Sequence, residues 1–154
     1  MTVKRVRHIG IVVSNLNKSE KAFKDLFGAK TITPIIKNKG KYINNLVGLR
    51  NVYSKVKLLK LKDNSRLELL EYVSPKGKKR SNKSNEIGVS HFAVTIKSMK
   101  TFIKKSKNYN TKFISPPIFS PDNFVNVAYV LILNEVLVEV VEVHNKKAEF
   151  SGGK

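Results

Sequence analysis

The sequence predicts an α+β protein made of two similar βαβββ modules within one domain over residues 1–154. Three observations carry that expectation. The order of strand, helix and further strands that opens the chain begins again near residue 89. The two opening strands match: Arg7-His8-Ile9-Gly10-Ile11-Val12-Val13 lines up with Ser90-His91-Phe92-Ala93-Val94-Thr95-Ile96. Each half also closes on a strand with a glutamate set between aliphatics, Leu67-Glu68-Leu69 and Val138-Glu139-Val140. A duplicated unit explains all three at once. Module one is expected at about residues 4–73, a linker at 74–87, module two at about 88–144 and a flexible tail at 145–154.

The elements follow from local chemistry. Residues 6–13 are mostly β-branched and read as a strand. Asn17, with Glu20 three residues later, has capping-box spacing. Ala22, Phe23, Leu26 and Phe27 then form an apolar stripe of helical period that Gly28 ends. Residues 31–36 read as a short strand and 37–51 as an irregular connection. Residues 52–61 and 67–73 read as a hairpin around the turn signal Asp63-Asn64-Ser65.

In the second half residues 89–96 read as a strand, and Ser98 caps a helix with the stripe Met99, Phe102 and Ile103. Residues 108–110 stop that helix, and residues 112–115 can form a short strand. Residues 125–133 and 136–143 make a closing hairpin across Asn134-Glu135, with Asn134 in left-handed geometry or in a wider turn.

Composition narrows the function classes. A hydrophobic fraction of 41% is that of a folded chain. No segment approaches the roughly 20 uninterrupted apolar residues of a membrane helix. The basic residues near the start leave no apolar signal-peptide core, so a cytoplasmic location is expected. Without cysteine there is no disulfide, thiolate nucleophile or thiolate-bound metal. The net charge of +19 comes from lysines spread over the whole length. The one dense cluster, Lys76, Lys78, Lys79, Arg80 and Lys83, has no interleaved aromatics to stack bases. It reads as a solvated loop rather than a nucleic-acid surface.

The repeat points to chemistry because of what it repeats. A histidine and a glutamate within aliphatic strands cost several kcal/mol if buried without partners. The same pair at equivalent places in two modules suggests that His8, Glu68, His91 and Glu139 share one cavity as metal ligands. Two imidazoles and two carboxylates suit six-coordinate Zn, Ni, Co, Mn or Fe with two positions left to water. Glu71 and Glu142 lie three residues further along, on the opposite faces, and are read as the exposed members. Alternation alone permits either choice within each glutamate pair. His144 is taken as surface, and Tyr72 shares the strand face of Glu68.

With these residues in view, the chain resembles the vicinal-oxygen-chelate superfamily, which includes glyoxalase I, methylmalonyl-CoA epimerase, extradiol dioxygenases, fosfomycin-resistance enzymes and bleomycin-binding proteins. The resemblance runs from His8-Ile9-Gly10 through Leu67-Glu68-Leu69 and His91-Phe92-Ala93 to Val138-Glu139-Val140. It implies that the two modules curl into an open eight-stranded cup around a divalent metal, and that the protein is a homodimer.

A complete His/Glu/His/Glu set resembles glyoxalase I most. Epimerases in the family usually carry Gln where this chain has Glu68, and an acid shortly before that strand, near Asn51 here. Transferases of the fosfomycin type and dioxygenases use three ligands, and bleomycin-binding relatives usually lose them. The resemblance therefore implies a metal-dependent lyase or isomerase, with Glu139 as the catalytic base and Glu68 its counterpart. The substrate would be a small thiol-linked carbonyl compound, in which the metal stabilises an enediolate or enolate. The basic surface suits an anionic adduct of glutathione or CoA.

Overall fold

The computed structural model describes residues 3–81, 83–145 and 147. The flexible tail expected at 145–154 lies almost wholly outside them. The chain divides into two compact units, one up to Lys79 and one from Arg80 onward, a boundary inside the expected linker.

In the first unit β1 (Ile9–Val12) leads into α1 (Leu16–Phe27). The short strands β2 (Lys30–Thr31) and β3 (Ile36–Lys39) follow, then α2 (Lys41–Val47). The long strands β4 (Tyr53–Lys60) and β5 (Arg66–Ser74) complete the unit. The second unit repeats the scheme with β6 (Phe92–Ile96), α3 (Met99–Ser106) and a 3-10 turn at Lys107–Tyr109. It closes with β7 (Lys112–Phe113), β8 (Ile118–Phe119), β9 (Val125–Ile132) and β10 (Val136–Val143).

Each unit carries one mixed sheet of five strands among the described residues. In the first the order is β1-β5-β4-β2, with β3 also on β4. In the second it is β6-β10-β9-β7, with β8 also on β9. The βαβββ expectation gave four strands per half, and the fifth has one origin in both. The strand expected at 31–36 is broken by Pro34, and its two pieces both pair with β4. The strand expected at 112–115 is likewise followed past Pro116-Pro117 by a second piece, and both pair with β9. Proline has no N–H to give to the ladder, so pairing lapses there and resumes beyond.

Local chemistry also corrects three readings. The cap of α1 is Asn15, whose side chain accepts from Lys18 N at 2.9 Å, and Asn17 lies within the first turn. Glu20 therefore has no capping duty and meets Lys57 and Thr31 instead. The stretch 37–51 is not irregular: β3 runs to Lys39, and α2 ends at Gly48 with φ 68°. That helix carries Ile43, Leu46 and Val47 at helical spacing before Gly48, but the stripe spans only seven residues and none of them is buried. Ser98 and Gly28 cap as expected, Gly28 at φ 65°.

The third correction concerns Glu71 and Glu142. Both lie on the face opposite Glu68 and Glu139, but they are not exposed. Glu71 Oε2 accepts from Leu16 N, the first N–H of α1, at 2.8 Å. Glu142 Oε2 accepts from Met99 N, the first N–H of α3, at 3.1 Å. Opening N–H groups of a helix have no partner within it, and a carboxylate there also meets the positive end of the helix dipole. Each acid thus ties a helix to its sheet.

The core follows the same face. In the first unit Phe23, Leu16, Leu59, Leu67 and Leu69 are fully buried between α1 and the sheet. In the second, Val130, Ile132, Val138 and Val140 are equally buried, and α3 lays Met99 and Phe102 on β10. Removing Phe23 would forfeit about 3–5 kcal/mol of such burial.

Two of the polar contacts are open to direct measurement. Glu142→Ala leaves Met99 N without its acceptor and lowers stability by about 1–2 kcal/mol in urea unfolding at neutral pH. Glu20 bears on acid stability. Burial opposes its charge, but hydrogen bonds from Lys57 and Thr31, with the charges of Lys57 and Lys24, hold its carboxyl below the usual glutamate range. A depressed carboxyl stabilises the fold above the ordinary glutamate range, and that contribution is lost as pH falls through the folded value. Glu20→Gln is expected to flatten this part of the acid limb of a stability–pH curve, measured by urea midpoints between pH 7 and pH 3.

Candidate functional site

The two His–Glu pairs are set by register. In the first unit β1 and β5 run parallel, with Gly10 opposite Glu68. In the second β6 and β10 run parallel, with Ala93 opposite Glu139. Each histidine lies two residues before the small residue that faces its glutamate, so His8 and His91 project to the same faces as Glu68 and Glu139. The side chains meet: His8 Nε2 is 3.3 Å from Glu68 Oε2, and His91 Nε2 is 3.1 Å from Glu139 Oε2.

Both pairs are partly shielded, with side chains between 24% and 32% accessible. Small residues keep the approach open. A methyl group built on Gly10 would meet Leu70 Cδ1 at 3.6 Å and Glu68 Oε2 at 4.0 Å, ordinary contacts that show how close the carboxylate runs to this backbone.

The second pair is more elaborate. Tyr129 faces Glu139 across the β9–β10 hairpin. Its hydroxyl lies 3.3 Å from Glu139 Oε2 and 3.2 Å from His91 Nε2. Its ring meets the imidazole edge-on with centroids 4.8 Å apart. Burial, the charge of Glu139 and the hydrogen bond to it all push the Tyr129 hydroxyl above the ordinary tyrosine range. It therefore keeps its proton at neutral pH and acts as a donor. On the other side of the ring, Ser90 Oγ lies 2.7 Å from His91 Nδ1.

Tyr129 escaped the sequence reading because of one residue in a turn. A two-residue loop at Asn134-Glu135 would set Val130 opposite Glu139. The loop is in fact three residues, because Ile132 pairs with Val136 and both Leu133 (φ 53°) and Asn134 (φ 56°) are left-handed. A slip of one position moves every side chain to the other face. Left-handed Asn134 was foreseeable; left-handed Leu133 was not, since leucine seldom adopts it. His144 is exposed, as expected, and approaches Glu142 at 3.6 Å.

The donor chemistry fits a divalent metal. Nitrogen and oxygen ligands at right angles, each about 2.1 Å from an ion, are about 3 Å apart, close to the separation within each pair. Two donors do not hold an ion alone, and neither unit by itself gathers a third His, Asp or Glu beside its pair among the described residues.

A sequence profile of the Glyoxalase/Bleomycin resistance protein/Dioxygenase superfamily matches residues 7–129. The chain belongs to that superfamily, the vicinal oxygen chelate group. The matched stretch holds His8, Glu68 and His91, while Glu139 lies just past it. No curated protein matches the sequence.

Among solved structures, a glyoxalase family protein from Bacillus cereus has a TM-score of 0.83 at 15% identity, covering 94% of this chain and 97% of that one. A glyoxylase/bleomycin resistance protein/dioxygenase domain from Frankia sp. EAN1pec has a TM-score of 0.64 at 13% identity, covering 94% and 96%. The fosfomycin resistance protein FosX from Listeria monocytogenes, complexed with Mn(II) and sulfate, has a TM-score of 0.58 at 17% identity, covering 92% and 93%. At these identities the likeness is one of fold. Among the described residues no helix is long and apolar enough to cross a membrane.

The room beside Glu68 allows a test of the register. Gly10→Ala should fold with equal or slightly higher thermal stability, since a strand glycine costs about 0.5–1 kcal/mol relative to alanine and Ala93 already fills the equivalent place. A drop in melting temperature of more than a few degrees would contradict the parallel pairing of β1 with β5.

Proposed function

We propose that His8, Glu68, His91 and Glu139 hold one divalent metal ion, and that the protein is a metal-dependent lyase or isomerase of the glyoxalase I type. The observation that carries the reading is the twin pair: each module presents an imidazole Nε2 and a carboxylate Oε2 at ligand spacing, and each is incomplete alone. The ion, when bound, supplies Lewis-acid stabilisation for negative charge that develops on a substrate carbonyl oxygen.

The remaining work belongs to the chain. Glu139 takes a proton through a carboxylate oxygen from the carbon beside the carbonyl, and Glu68 acts as its counterpart in returning a proton to the neighbouring carbon. The net change is one proton moved from carbon to the neighbouring carbon and one moved from the hydroxyl to the former carbonyl oxygen, an isomerisation with no oxidant or second substrate consumed. A hemithioacetal of a 2-oxoaldehyde fits this chemistry and would leave as the thioester of a 2-hydroxy acid. The basic surface suits an anionic thiol portion such as glutathione or CoA. The same reading takes the protein to be a cytoplasmic homodimer.

A second reading, metal-dependent thiol transfer to fosfomycin or a similar small molecule, is supported by the fold shared with the Mn(II)-bound fosfomycin resistance protein FosX. The full set of four donors favours the first.

Metal titration tests the site. The full-length chain, stripped with chelator, should take up one Co(II), Ni(II), Mn(II) or Zn(II) per chain by calorimetry. His8→Ala and His91→Ala should each weaken uptake at least tenfold. Two ions per chain, or uptake that depends on only one module, overturns the shared site. With metal saturating, Glu139→Gln should lower kcat for hemithioacetal isomerisation by about 10²–10⁴-fold. Turnover of fosfomycin with Mn(II), and none of hemithioacetal, would transfer the assignment to the second reading.

A further inference from the structure

We propose that Ser90 and Tyr129 are positioning residues that make His91 and Glu139 the stronger half of the donor set. The inference rests on the metal reading above and adds an inequality between the two modules. The backbone supports are the same in both, because histidine, small residue and glutamate stand in one register in each. Any difference between the pairs therefore lies in the side chains around them, and two differences stand out.

The first is at the imidazole. A histidine that offers its Nε2 lone pair to a metal must carry its proton on Nδ1, and a partner that accepts from Nδ1 fixes that form. Ser90 Oγ lies 2.7 Å from His91 Nδ1; its hydroxyl can donate to that nitrogen while Nε2–H faces Glu139, and can accept from it once Nε2 is given to an ion. The corresponding residue before His8 is Arg7, whose guanidinium only donates and cannot play this part.

The second difference is at the carboxylate. Glu139 faces Tyr129, which donates to Oε2 and lays its ring edge against His91. Glu68 faces Leu58, which offers contact and no side-chain hydrogen bond. A carboxylate held in place before an ion arrives loses less freedom when it binds. Both pairs share a mutual contact; with an ion at Nε2, Ser90 and Tyr129 would in addition hold His91 and Glu139 in place, support that His8 and Glu68 lack at the matching positions among the described residues.

The test uses the full-length, metal-free chain with Co(II) as probe, read by calorimetry and visible absorption. Ser90→Ala and Tyr129→Phe are each expected to weaken Co(II) binding by about 10–100-fold, and Ser90→Thr to restore it. Arg7→Gln and Leu58→Met, the counterparts in module one, should stay within twofold of wild type. Melting temperatures of the metal-free variants should stay within a few degrees of wild type, which separates positioning from a loss of fold. Nitrogen-15 shifts should show the tautomer balance of His91 moving in Ser90→Ala while that of His8 does not. If Ser90→Ala and Tyr129→Phe bind as wild type does, or the module-one variants lose as much, the inequality is overturned and the metal site stands. If the wild-type chain takes up no metal, the metal reading falls and this inference with it.

Discussion

The parallel ladder inside each module is the constraint on which the rest depends. Joining the histidine strand to the glutamate strand so that Gly10 meets Glu68, and Ala93 meets Glu139, decides which face every other residue takes. It sends His8 with Glu68 and His91 with Glu139 to one side, and Leu67, Leu69, Val138 and Val140 to the helix side. Side chains alternate in a strand, so the catalytic candidates and the core are two readings of one register rather than separate achievements of the fold. The small residues follow as well: with a bulky side chain opposite each glutamate, the two polar groups would meet across a crowded surface.

Much of this was legible in the sequence, for identifiable reasons. The duplication showed because both modules repeat an improbable feature, a polar ligand type inside an aliphatic strand. The helices α1 and α3 showed through their stripes, and Ser98 and Gly28 through capping chemistry. What escaped did so where local sequence is silent about tertiary contacts. The helix α2 does have a pattern, Ile43, Leu46 and Val47 ahead of Gly48, but seven residues are too short a run for it to stand out from an irregular connection. Glu71 and Glu142 looked like solvent-facing charges because a carboxylate that receives a helix N–H is spelled like one that faces water. Asn15 outcompeted Asn17 as the cap by a choice of two positions that propensity does not distinguish.

The site divides the same way. His8, Glu68, His91 and Glu139 are recognisable because symmetry singles them out. Tyr129 and Ser90 are not repeated in the first module, where Leu58 and Arg7 stand, so symmetry hides them, and Tyr129 needs the hairpin register besides. The features that distinguish the second module from the first are therefore the ones a repeat-based reading passes over. The positive charge, spread over the whole length, suits an anionic ligand without selecting one.

The strands β5 and β10 each bear one acid on either face, Glu68 with Glu71 and Glu139 with Glu142. Displacing either strand by one position would carry its site-facing acid to the helix side and its helix-anchoring acid away from it. The anchoring of the helix and the pairing of histidine with glutamate would then be lost together. A misaligned copy would lack the tie that steadies its helix. A slip of one position is in this way opposed by the stability of each unit itself.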